Sequence, residues 1–177
     1  MASKLLYFLS YSLIFTLYGT LITSIGPVIP FFTQTTGKPE TYFSFIFLWR
    51  AIGYILGGYV AKILFERINL HQVIILSVSV GGVSYMVSTM SFSFWNLSLS
   101  FFVGGACCCM ITVCCNVCVI KLYQKNQDYW VQLLQTLFGI GGLAGPFIVA
   151  IFKDRSYFVL GAILLMSTPL FYIFSSP

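Results

Sequence analysis

A chain of 177 residues that is 59% hydrophobic and only 7% charged, with a mean hydropathy of +0.95, carries too few polar side chains to cover a water-facing surface. Its net charge of +5 is scattered between apolar segments, without the basic run or aromatic-interleaved patch of a nucleic-acid interface, so that partner class is set aside. Lipid is the solvent, and a β-barrel is excluded because Phe45–Trp49 and Phe158–Met166 stay apolar at consecutive positions instead of alternating.

A hydrocarbon core of about 30 Å takes roughly 20 helical residues. Six segments are expected to cross it, at about 8–32, 42–64, 72–90, 95–121, 129–152 and 156–174, forming a single transmembrane domain over 1–177. The first follows Lys4. Its one small-x-small cleavage candidate, Ser24-Ile25-Gly26, lies within an apolar run that continues to Phe32, so the segment is expected to stay as an anchor. Gly26-Pro27 and Pro30 are expected to break it near its outer end. Gly37, Lys38, Pro39 and Glu40 mark the joint Thr33–Thr41.

The second segment holds the most informative side chain. Arg50 lies well inside an apolar run, where insertion scales put an arginine at about 2.5–3.5 kcal/mol unfavourable. Glu40, Glu66, Asp128 and Asp154, the acidic residues, all fall at expected span ends. The compensating group is therefore a solute, backbone carbonyls, cavity water or another polypeptide segment. One reading has Arg50 facing a wet cavity and hydrogen-bonding a polar or anionic solute through its planar donors. The other makes it a structural residue tying helix ends together or snorkelling outward. Gly53-x-x-x-Gly57, with Gly58, gives this segment a face for close helix packing.

After a joint at Phe65–His71 and the third segment comes the short joint Ser91–Phe94. Asn96-Leu97-Ser98 matches a glycosylation acceptor, but it is pressed against the membrane edge and is not expected to be occupied. In the fourth segment Thr112 and Asn116, four apart, stack on one stripe that suits either a polyol or a neighbouring helix. Cys107, Cys108, Cys109, Cys114, Cys115 and Cys118 crowd the same segment. They are read as small polarizable packing residues rather than a disulfide framework or metal site, since His71, the only histidine, is expected in a distant joint.

Past the polar joint Tyr123–Asp128, the fifth segment begins with Gln132, Gln135 and Thr136. It continues into Gly141-x-x-x-Gly145-Pro146, a close-packing face followed by a bend. Lys153–Arg155 leads to the last segment. With Lys4, Lys62, Arg67, Lys121 and Lys125 at one end of the bundle and Lys38, Lys153 and Arg155 at the other, both termini are expected on the cytoplasmic side. No nucleophile–base constellation, phosphate-cradling loop or paired carboxylate is visible, so neither an enzyme nor a cofactor is expected.

Three stretches carry a family resemblance: Arg50-Ala51-Ile52-Gly53-Tyr54-Ile55-Leu56-Gly57-Gly58 with Glu66-Arg67, then Asn116 to Tyr123, then Gln135 to Pro146. Together with Gly26-Pro27 they resemble helices one, two, four and five of the major facilitator superfamily, specifically its sodium-dependent glucose transporter-like branch, over about residues 10–152. The resemblance implies a gating latch at Glu66 and Arg67. The motif is degenerate, with Lys62 in place of glycine, Glu66 in place of aspartate, and the trailing basic pair missing. It also implies an architectural share in the role of Arg50.

The family has twelve helices in two halves, with substrate held between them. By resemblance this chain is therefore the N-terminal six-helix half, paired with a missing C-terminal half, a second copy or a separate chain. The function implied is transport of a small polar, sugar-like solute by alternating access. Arg50, Asn116, Gln132 and Gln135 are the binding candidates, and any coupling acid is expected outside this half. The alternatives are a non-transporting membrane scaffold or an inactive truncated transporter.

Overall fold

The computed structural model describes residues 2–90 and 93–175 of the chain. Its helices are α1 (Ala2–Thr23), α2 (Ile25–Thr36), α3 (Glu40–Phe65), α4 (Leu70–Ser88), α5 (Phe94–Leu122), α6 (Gln127–Phe152) and α7 (Ser156–Ser175), with a 3-10 turn Lys153–Arg155 before the last. Five stretches are long and apolar enough to cross a membrane: Lys4–Thr23, Glu40–Phe65, Leu70–Ser88, Phe94–Leu122 and Gln127–Phe152. The apolar stretch described in α7, Ser156–Pro169, is shorter. Two residues of the expected third joint, Ser91 and Phe92, and the terminal Ser176 and Pro177 lie outside the described residues.

The first expected span, 8–32, is two helices. Their break falls at Ser24 rather than at Gly26-Pro27. Pro27 has no N–H to give the carbonyl four residues earlier, so its effect surfaces one turn upstream. Ser24 keeps right-handed helical angles, with φ −71° and ψ −16°. Its N–H donates to Thr20 O at 3.2 Å, its carbonyl accepts from Val28 N–H at 3.2 Å, and its hydroxyl donates to Thr20 O at 2.7 Å. The hydrogen-bond ladder therefore continues through the break. α2 ends at Gly37, whose φ of +68° suits a residue without Cβ, and its N–H donates to Thr33 O at 2.8 Å.

One further expectation changes. α4 begins at Leu70, which puts His71 in a first helical turn rather than a joint. Its ring stacks on Tyr11 of α1, with centroids 5.9 Å apart and planes inclined by 19°. Asn96 lies in the first turn of α5, and its side-chain amide donates to Val87 O at 3.0 Å, tying α5 to the end of α4.

α5 is the most buried helix, packing principally on α3 and α4. α1 packs on α6, and α7 packs on α4. These crossings bring backbone against backbone. A Cβ added at Gly53 or Gly57 would strike the Phe102 or Ala106 carbonyl of α5, and one at Gly105 would strike the Arg50 carbonyl of α3. Gly19 meets the Phe138 carbonyl and Gly141 the Thr16 carbonyl, while a Cβ at Gly161 would lie 2.7 Å from Gly82 O. In lipid, helices gain nothing from burying apolar surface against one another, so small residues that admit dense contact set the interfaces.

The α1–α6 crossing solves a second problem. Pro146 cannot bond the Gly142 carbonyl, and the Thr23 hydroxyl of α1 donates to that oxygen at 2.7 Å. Thr20 donates to the adjacent Gly141 O at 2.9 Å. Pro169 likewise frees Leu165 O, which accepts from the Thr168 hydroxyl at 2.6 Å. The Thr23 hydroxyl also lies 3.1 Å from Gly19 O and 3.2 Å from Thr20 O on its own helix.

Thr23→Val should lower stability by about 1–2 kcal/mol, and Pro146→Ala, which restores a backbone donor, should recover much of the loss. Thermal unfolding of the detergent-solubilised chain in a double-mutant cycle measures this coupling. Gly53→Leu and Gly141→Leu should each cut the yield of monodisperse protein severalfold. Gly139→Ala, where an added Cβ meets nothing within 4 Å, should leave it unchanged.

Candidate functional site: a polar seam across three helices

α3 buries Phe43, Ile46, Gly53, Gly57 and Ala61, and the three- and four-residue spacing of that stripe places Arg50 between Ile46 and Gly53. Arg50 therefore projects from the α5-facing side of its helix, and its own carbonyl forms the contact with Gly105. Within electrostatic range of the guanidinium stand Tyr85 of α4, Cys108 of α5, Tyr157 of α7 and Tyr54 of α3. No carboxylate is among them.

The aromatic groups form a fixed wall. Tyr85 stacks on Tyr157 with centroids 5.6 Å apart, and Phe101 packs edge-on against both, at 5.8 and 5.3 Å. Tyr157 Oη donates to Leu21 O at 3.4 Å. Arg50 Nε is buried with no hydrogen-bond partner in the protein, as are the hydroxyls of Tyr85 and Tyr18. A buried donor left this way carries a penalty of about 1–3 kcal/mol, more when charged.

From Arg50 the polar character continues. Tyr54, one turn on, reaches Thr112 and Cys109 of α5. One turn along α5, Asn116 donates from Nδ2 to Thr112 O at 2.8 Å and accepts at Oδ1 from Gln135 Nε2 of α6 at 3.3 Å. Gln135 is exposed and Asn116 half-buried, so both amides keep hydrogen-bonding capacity toward the open side. Arg50, Tyr54, Thr112, Asn116 and Gln135 thus form one seam across α3, α5 and α6. Gln132 is exposed one turn before Gln135, and its carbonyl accepts the Thr136 hydroxyl at 2.9 Å.

Other candidates lie apart from the seam. Glu66 and Arg67 are exposed in the α3–α4 joint, with Arg67 N–H donating to Leu64 O at 3.0 Å. Gly26 and Pro27 belong to the start of α2, and Gly145 packs on Thr20 and Thr23 of α1. The six thiols are free and buried along α5, and no group of three or more metal-ligating side chains converges among the described residues. Sequence reasoning passed over Tyr54 and Tyr85. Tyr54 carried a signal, four residues after Arg50 on the same face. Tyr85 carried none, because it meets Arg50 only through tertiary packing.

Long apolar helices thus cross through glycine and carry a polar seam across α3, α5 and α6. The sequence profile of the Major Facilitator Superfamily matches residues 10–177. The chain belongs to that superfamily. Its members are transporters rather than enzymes, and with five helices long enough to span lipid this is a multi-pass membrane protein.

Among curated proteins it is similar to two from Danio rerio. Major facilitator superfamily domain-containing protein 4A is 27% identical over 161 residues, which cover 86% of this chain and 29% of that relative. Major facilitator superfamily domain-containing protein 4B is 25% identical over 144 residues, 79% of this chain and 26% of that relative. The chain spans less than a third of the length of these relatives.

If the amide bridge couples α5 to α6, Asn116→Leu and Gln135→Leu should each destabilise the folded chain. The double variant should fall short of the sum by about 0.6–1.7 kcal/mol. Additive losses in thermal unfolding would show that the two amides act independently.

Proposed function

We propose that this chain is the N-terminal six-helix half of a secondary transporter that carries a small polar, sugar-like solute by alternating access. In this reading it rocks against a second six-helix unit: a C-terminal half, a second copy or a separate chain. The polar seam headed by Arg50 carries the proposal. It sets fixed hydrogen-bonding groups inside an apolar bundle, and it leaves a charged donor, Arg50 Nε, without a protein partner. Hydroxyl groups of a polyol satisfy both guanidinium donors and amide acceptors, which favours such a solute over an apolar one.

The distribution of exposed surface supports the pairing. α3 and α6 are the least buried of the long apolar helices, with Ile55, Tyr59, Leu143, Phe147 and Ile151 uncovered. A second unit and the bilayer would divide those faces between them. α7 serves as the sixth crossing, and both termini face the cytoplasm. Glu66 and Arg67 work as a latch at that end. Among the described residues no carboxylate joins the seam, so any proton or sodium coupling rests on groups elsewhere. The sodium-dependent glucose transporter-like branch is the lineage this reading favours.

Uptake of a labelled hexose and polyol panel into proteoliposomes provides the test. Arg50→Gln should reduce uptake at least about tenfold at equal membrane abundance, since a hydrogen bond from a charged donor is worth about 1.5–3 kcal/mol. Gln135→Leu should raise KM more than it lowers maximal rate. Undiminished uptake by Arg50→Gln would remove the seam from the transport path.

A further inference from the structure

At the end of the bundle where α1 begins and α5 ends, a half-open cavity of about 440 Å³ is lined by Lys4, Lys121, Gln124, Lys125, Asn126 and Trp130, among others. We infer that this cavity is a binding site for a phosphate-bearing anion, supplied as the headgroup of an acidic phospholipid in the adjoining leaflet. The site is separate from the solute seam and does not depend on it.

Three observations carry the inference. First, three lysines from two parts of the chain line one concavity, and no acidic residue is among its lining residues. Asp128 is the acidic residue nearest in sequence, two positions past Asn126; it is exposed and is not among the lining residues. Lys4 is partly committed, donating from Nζ to Leu122 O at 3.3 Å at the carbonyl end of α5. Lys121 and Lys125 remain for a ligand. Three like charges so placed repel one another, and a bound anion reverses the sign of that interaction.

Second, the floor is rigid. Trp130 stacks on Tyr123 with centroids 4.1 Å apart and planes inclined by 13°, and Phe8 packs edge-on against Trp130 at 4.8 Å. An indole held flat beside lysines at a helix end matches the depth where headgroups meet acyl chains. The lysines thus stand over a preformed shelf instead of on free surface.

Third, the volume lies in the range of sites that take a small organic ligand, which a glycerophosphate unit is. Basic clefts at the ends of membrane helices recognise such headgroups through charge and donor geometry.

The full chain, purified in a mild detergent and titrated with short-chain phosphatidylglycerol or phosphatidylcholine, provides the test, with retained lipid read by native mass spectrometry. The unaltered protein should retain phosphatidylglycerol about tenfold more strongly, and Lys121→Gln/Lys125→Gln should bring the ratio near one. Lys153→Gln/Arg155→Gln, at the other end of the bundle, should leave it unchanged and controls for net charge. Equal loss in both double variants, or none in either, overturns the site. Displacement of the lipid by equimolar inorganic phosphate would assign the cavity to a soluble anion and overturn the lipid source. Hexose uptake is not part of the readout, so the result stands whatever the solute seam proves to carry.

Discussion

Backbone-to-backbone contact between helices is the constraint on which this molecule rests. In water, an amphipathic helix finds its neighbours by hiding apolar surface. In lipid that incentive vanishes, and dispersion at short range plus a few interhelical hydrogen bonds take over. Gly53, Gly57 and Gly105 fix α3 on α5, Gly19 and Gly141 fix α1 on α6, and Gly82 and Gly161 fix α4 on α7. Arg50 inherits its position from the first of these crossings. Its carbonyl is pinned by Gly105, so the side chain starts from a fixed point and enters the bundle between α4, α5 and α7.

That placement explains how an apolar bundle holds a charge without a carboxylate. Phenols and a thiol surround the guanidinium and supply dipoles, not an opposite charge. A salt bridge would saturate the arginine and close the site. Neutral neighbours leave its Nε unpartnered, and the amide bridge between Asn116 and Gln135 is likewise incompletely satisfied, since each amide spends only part of its hydrogen-bonding capacity on protein.

Much of the architecture was legible before any coordinates. Long apolar runs announced membrane helices, because a backbone in lipid must satisfy itself. Arg50, Asn116 and Gln135 stood out as polar groups in greasy surroundings. Two things escaped for physical reasons. The break in the first span appears at Ser24 because proline acts on the carbonyl a turn upstream, so Gly26-Pro27 points slightly too far along. The tyrosines around Arg50 escaped because they come from helices distant in sequence, and tyrosine is common in this chain. His71 shows a related limit: a polar residue at a span edge reads as loop, yet stacking on Tyr11 accompanies its place in the first turn of α4.

The hydroxyl of Thr23 has one proton and three carbonyl oxygens around it, on Gly19, Thr20 and Gly142. Two of those oxygens belong to α1 itself, so a slip of α1 along α6 that returns the proton to its own helix strips Gly142 O, which Pro146 cannot serve. A threonine opposite a proline thus acts as a catch, holding two rods in one register by making displacement costly.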